Sequence, residues 1–238
     1  MFGFTPLNGL SVHTISDNGK SISAVATTQT KITNKKNKLN IMKNSEKKDV
    51  QSHSINTGLA VRFISDNIIV DRFPIGKEIK SNGKHNNCQV IINVSDEFYL
   101  GNSEEIIKEG KLNYYFPMGE NGDSMGLNSI FGALQVLHQI YTWNPEWKVL
   151  LHCQAGKNRS PTIKSAFHFM MLGEHEPDKT EEGGRNNRML DNCKRGYLPE
   201  LEKMELFLAK CKYAFDHPEN FLGGMFDWVM SESGCSLK

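Results

Sequence analysis

A chain of 238 residues with 38% hydrophobic content can bury the core of one ordinary domain and still carry additional material. Its formal net charge of +1 points to neither nucleic acid nor a membrane surface as the main partner. No apolar run approaches the ~18 consecutive residues of a membrane span, so stable membrane insertion is not expected.

The charge is unevenly spread. Residues 1–58 hold eight Lys against three acidic residues, which leaves the remainder mildly acidic. Ser, Thr, Asn and Lys dominate that stretch, with few aromatics and no sustained period, so 1–57 reads as a flexible extension and 58–238 as the folded domain. The first ten residues lack the basic start and apolar core of a secretory signal, and a cytoplasmic location is the expectation. An unfolded Ser/Thr/Asn-rich leader without such features is also what injected bacterial effectors carry. Cys88, Cys153, Cys193, Cys211 and Cys235 are odd in number and widely spaced, with no Cys-x-x-Cys and no metal-ligand rhythm with the eight histidines. A reducing compartment and no bound metal follow as expectations.

The folded part begins at Leu59. Runs at 61–64 and 68–70 are β-rich and separated by Ser65-Asp66-Asn67, which predicts a hairpin. A continuous apolar run at 89–94 predicts a strand buried on both faces, and a short strand follows at 112–116. Leu127, Ile130, Phe131, Leu134, Leu137 and Ile140 fall at i, i+3, i+4, i+7 spacing and predict a helix over 127–141. A short buried strand at 147–151 runs straight into His152. Pro161 stands early in a helix predicted over 160–172, where its missing N–H is harmless. Residues 173–196 are polar and glycine-bearing and read as a long solvated connector. Helical spacing returns over 198–215, and 221–230 adds a short closing helix with Trp228 available to pack on the body. Trp143 and Trp147 are read as packing residues too, while His85, His168 and His175, each standing alone, read as structural or exposed. This order predicts an α/β fold, a central mostly parallel sheet flanked by helices.

The chemistry concentrates in His152-Cys153-Gln154-Ala155-Gly156-Lys157-Asn158-Arg159-Ser160. A phosphate group needs many convergent donors, and a turn between a strand end and a helix start supplies them as backbone N–H groups aided by the helix dipole. Gly156 lets the chain curl without a side chain in the ligand's way. Arg159, six positions after Cys153, can fold over the same cup and grip phosphate oxygens in a planar, bidentate manner. A thiol held there is expected to be a thiolate at neutral pH. The reading therefore assigns Cys153 as nucleophile, Arg159 as clamp, and Gln154, Ala155, Gly156, Lys157 and Asn158 as phosphate-binding residues. His152 orients the loop, and Ser160 places a hydroxyl on the sulfur.

These residues resemble the loop of the protein tyrosine phosphatase superfamily, and within it the dual-specificity phosphatases, over about residues 59–215. The resemblance implies a phosphatase-like fold and a phosphocysteine intermediate. It also implies an aspartate on a separate loop that protonates the leaving oxygen and then activates water, with no metal or cofactor. The superfamily's acid lies roughly thirty residues before the nucleophile, in the window from Phe116 to Ser124. Asp123 is favoured because the superfamily acid is ordinarily Asp and a shorter side chain is more easily held in place. Glu120 is the alternative acid, and Asp123 has the competing role of N-cap to the Leu127 helix.

Asn158 and Ser160 look more like dual-specificity enzymes, so a phosphorylated protein is the first expected substrate. Lys157 matches loop lysines of phosphoinositide 3-phosphatases, which makes a phosphoinositide the second; Gln154 stands where those enzymes usually have another Lys. Partner cysteines of some superfamily members form a protective disulfide with the nucleophile, and Cys88 is the candidate for it here, against its reading as a buried free thiol. Rhodanese-type sulfurtransferases fit the His before the cysteine and the Arg-Ser ending poorly. Low-molecular-weight phosphatases carry their loop near the N-terminus. A non-catalytic phosphate-binding scaffold becomes attractive only where the acid is absent.

Overall fold

The computed structural model describes residues 57–74, 76–97, 103–119, 126–176, 187–221 and 223–235. All but the last residue of the predicted extension lies outside them. Four strands form one parallel sheet: β1 (Ile68–Asp71), β2 (Cys88–Ser95), β3 (Leu112–Met118) and β4 (Lys148–His152), in the order β1-β4-β2-β3. The helices are α1 (Gly76–Ile79), α2 (Ser103–Lys108), α3 (Leu127–Trp143), α4 (Arg159–Leu172), α5 (Arg188–Lys194), α6 (Leu201–Asp216) and α7 (Met225–Ser233). The predicted parallel sheet flanked by helices is the observed one.

Strand β2 shows why the sheet lies inside the molecule. Val90, Ile92 and Val94 face a large core with α3, α4 and α6, whereas Cys88 and Ile91 on its other face pack with Ile79, Ile106 and Leu150. The same alternation divides Val149 and Leu151 from Leu150 in β4. Both faces of the central strands β2 and β4 are thus covered, and each of the two carries a run of buried apolar residues. In α4, Ile163, Ala166, Phe167 and Met170 are buried at i, i+3, i+4, i+7, and Gly173 ends the helix with φ of +72°.

Several expectations need correction. The hairpin at 61–70 does not exist. The chain is helical from 57, winds as a π-helical turn through Phe63–Asn67, and enters β1, which pairs in parallel with β4. Buried Ala60, Phe63 and Ile64 lie at i, i+3 and i+4, a helical face, and Asn67 donates to the Pro145 carbonyl at 2.7 Å instead of turning a hairpin. The connector at 173–196 contains helix α5, capped by the Asn187 side chain accepting from the Leu190 N–H at 3.2 Å. Trp143, at the last position of α3, is 71% exposed and packs little, while Trp228 packs at a tilt against Phe221, 4.9 Å between ring centroids, with Lys210 over its ring. Helix α3 takes Gly126 as N-cap with no side-chain cap bond, and Asp123, the other candidate for that role, lies outside the described residues. Of the solitary histidines, His85 takes the structural alternative, 1% exposed and 3.1 Å from the Asp71 carboxylate. Cys88 opens β2 opposite Lys148, whereas Cys153 follows the far end of β4. Five residues of strand separate them, roughly 16 Å at ~3.3 Å per residue, well beyond disulfide reach.

Candidate active site

Because all four strands run in parallel, their C-terminal ends gather at one edge of the sheet. Asp71 pairs with His152, His152 with Asn93, and Ser95 with Met118. Ligand sites of open α/β sheets form at such an edge. Loop 153–158 leaves β4 there and enters α4 at Arg159, so the helix N-terminus points into the loop.

Cys153 lies on the floor of this loop, 2% exposed. Burial alone would raise its pKa. The Ser160 hydroxyl, 3.3 Å from the sulfur, and the N–H groups of Ser160, Gly156 and Asn158 outweigh that and hold the thiol below its ordinary value. No other cysteine has such company: burial pushes the Cys88 and Cys193 thiols up to about 11 and holds Cys211 well above its ordinary value. Iodoacetamide at neutral pH is therefore expected to label Cys153 ahead of Cys88 and Cys193, as read by peptide mass spectrometry. Earlier labelling of either of the other two would contradict the electrostatics of the loop.

Gly156 is required twice over. Its φ is +65°, and a Cβ there would come within 2.5 Å of the Asp71 carbonyl carbon. The loop rests on the segment after β1 in two further ways: the Phe73 N–H donates to the Gln154 carbonyl at 3.1 Å, and the Phe73 ring meets His152 edge-on at 5.5 Å. His152 is 2% exposed, and burial pushes its pKa down to about 4, so the ring is neutral at neutral pH. Beneath it, buried His85 contacts Asp71 at 3.1 Å, and Lys84 binds the same carboxylate. Gln154, Ala155 and Lys157 are exposed on the rim, and Asn158 is half-buried.

Arg159 is fully buried and held by groups that sequence reading did not find. Its Nη1 and Nη2 donate to the two Glu97 carboxylate oxygens at 2.8 Å each, Nη1 also to Asp96 Oδ1 at 2.6 Å and to the Met118 carbonyl at 3.0 Å. These hydrogen bonds hold the Glu97 carboxyl below its ordinary pKa despite partial burial. Asn93 braces the strand end just before the two carboxylates. Buried at the end of β2, its Oδ1 accepts from the Ser95 N–H at 2.9 Å and the Ser95 hydroxyl at 2.8 Å, and the register shifts there as the chain turns towards Arg159. An acidic pair directly after a buried parallel strand is the available sequence signal.

Asp123 and Glu120, the two candidate acids, lie outside the described residues. The described chain before them ends at Gly119, directly after Met118, whose carbonyl Arg159 holds. Among the described residues no helix is long and apolar enough to cross a membrane.

The chain is similar to several solved structures. With Tk-PTP in its active form it shares 19% identity, over 48% of this chain and 74% of that one, at a TM-score of 0.41. With PTPMT1 in complex with PI(5)P the identity is 16%, over 66% and 96%, at a TM-score of 0.43. With the core catalytic domain of the PP-IP phosphatase SIW14 from S. cerevisiae it is 16%, over 72% and 91%, at 0.38. These neighbours are phosphatases of the protein tyrosine phosphatase superfamily, the one that the loop resembles. No protein-family model and no curated protein matches the chain.

Proposed function

We propose that this chain is a cysteine-dependent phosphatase acting on phosphoproteins, on phosphotyrosine first and on phosphoserine and phosphothreonine by the same chemistry. The observation that carries this reading is the Cys153 sulfur at the loop floor, receiving the Ser160 hydroxyl and three backbone N–H groups, with the buried Arg159 guanidinium anchored beside the loop. In the proposed reaction the Cys153 thiolate attacks phosphorus, an S–P bond forms and the P–O bond to the leaving group breaks. Asp123 gives its proton to the departing oxygen. Water then attacks phosphorus, Asp123 takes the water's proton, and the sulfur leaves with the Ser160 hydroxyl donating to it. Arg159 and the N–H groups of loop 153–158 bind the transferring oxygens.

Lys157, exposed on the loop rim, favours a second reading in which a phosphoinositide is the substrate, since its ammonium adds positive charge beside the phosphate. A panel of phosphotyrosine, phosphoserine and phosphothreonine peptides alongside phosphoinositides, assayed without added metal, separates the two. Turnover that requires a metal ion would overturn both. The acid is assigned by comparing Asp123→Asn with Glu120→Gln across pH on an aryl phosphate. The variant that loses the alkaline limb of the profile marks the acid, expected to be Asp123. Loss of that limb in Glu120→Gln alone would move the role to Glu120. Retention of it in both variants would put the acid outside this window, and absence of turnover at every pH in the unaltered chain would favour the non-catalytic scaffold.

A further inference from the structure

Helix α5, folded from a stretch whose sequence carries no chemistry of its own, brings a buried side chain onto the back of the phosphate loop. Asn192 is 1% exposed. Its carbonyl accepts the N–H groups of Tyr197 at 3.0 Å and Leu198 at 3.2 Å, so the turn after the helix fixes its main chain. Its side-chain amide donates to the Thr162 hydroxyl oxygen at 2.7 Å and to Asn158 Oδ1 at 3.0 Å. Thr162 dictates the direction of these bonds. Its hydroxyl hydrogen is already donated to the Asn158 carbonyl at 2.8 Å, leaving only lone pairs towards Asn192, so the NH2 end of the Asn192 amide must face it. The Thr162 N–H reaches the same carbonyl at 2.9 Å. Asn158 is therefore gripped through both its carbonyl and its side chain, and its own N–H is one of those aimed at the Cys153 sulfur.

We propose that Asn192 is a positioning residue of the phosphate loop, holding Asn158 so that the last loop amides converge on Cys153. The inference rests on the reading of loop 153–158 as a phosphate cradle and adds a residue some thirty positions downstream to the machinery. Asn192 touches neither the sulfur nor the substrate; it acts through Asn158. Without its amide, Asn158 Oδ1 loses this donor and the Thr162 hydroxyl loses the group that holds it in line. The final turn of the loop is then free to rotate its N–H away from the sulfur.

The test is iodoacetamide alkylation of Cys153, resolved by peptide mass spectrometry across pH, in the full chain and in Asn192→Ala, Asn158→Ala and the double variant. Asn192→Ala is expected to raise the Cys153 titration midpoint by about half a unit to one unit, one unit being a tenfold loss of thiolate on the acidic side of the midpoint. The double variant should shift no further than the larger single, because the bond that Asn158→Ala removes is already cut by Asn192→Ala. A midpoint unmoved in folded Asn192→Ala overturns the proposal, even where its Tm falls, since that outcome is a packing effect alone. Additive shifts in the double variant overturn it as well. Where Asn192→Ala does not fold, Asn158→Ala cuts the same bond from the half-buried loop side, and an unmoved midpoint there is equally fatal. Alkylation needs no turnover, so the two readings fail differently. A wild-type chain with a reactive Cys153 but no phosphatase activity sinks the proposed function. Full activity with an unmoved midpoint sinks the role of Asn192.

Discussion

Cys153→Ser is expected to lower hydrolysis of an aryl phosphate by at least about 10⁴-fold, the scale on which loss of a catalytic nucleophile acts, while leaving binding of inorganic phosphate intact. The N–H groups of Gly156, Asn158 and Ser160 belong to the backbone and survive the substitution, as does Arg159. What disappears is the acidity: a serine hydroxyl given the same donors remains protonated at neutral pH, and nothing on the loop floor can attack phosphorus. Steady-state rates and titration calorimetry with phosphate read the two halves of this expectation separately. Activity that persists in Cys153→Ser would rule out the covalent mechanism.

Arg159→Lys is expected to reduce kcat/KM by about 10³-fold, although the charge is retained. A lysine ammonium cannot reproduce the planar fork that reaches both Glu97 oxygens, Asp96 and the Met118 carbonyl at once. The stability profile should change with it. The Glu97 pKa is depressed in the folded protein by its hydrogen bonds to Arg159, so the pair stabilises the fold above the unfolded glutamate pKa. That contribution is lost as pH falls through the lower folded value. Arg159→Lys weakens the depression, so its Tm should fall less steeply than that of the wild type on acidification below about pH 4.5. Activity within tenfold of the wild type would show that the guanidinium geometry is not what the reaction uses.

The partners of these two residues mark where the sequence stops being readable. Strand β4, loop 153–158 and helix α4 form one contiguous stretch in which apolar run, glycine, cysteine and arginine stand in fixed order, so local chemistry alone identifies it. Asp96 and Glu97 reach Arg159 across 63 and 62 positions, and Asn192 reaches Thr162 and Asn158 across 30 and 34. No periodicity links such residues, because their meeting is decided by how the strands are ordered in the sheet and how α5 packs on α4. The failed hairpin has the opposite cause. Within 61–70 the β-branched run and Ser65-Asp66-Asn67 satisfy strand and turn preferences locally, but burial of Ala60, Phe63 and Ile64 on one face and a strand partner 81 positions away in β4 outweigh them. Helix α5 was hidden by its surroundings: seven residues with two buried side chains, Met189 and Asn192, inside a polar stretch give too short a period to detect.

The arrangement of donors around Cys153 makes the sulfur a built-in gauge of assembly. In an unfolded chain it has none of these neighbours and titrates as an ordinary thiol. Rapid alkylation at neutral pH exists only while β4 and α4 flank the loop and the backbone at Asp71 lies close beneath Gly156. A collapsed molecule that kept its helices but had not yet seated β1 against β4 would react slowly. The same atom proposed to attack phosphate thus reports, in time, the moment at which the parallel sheet closes.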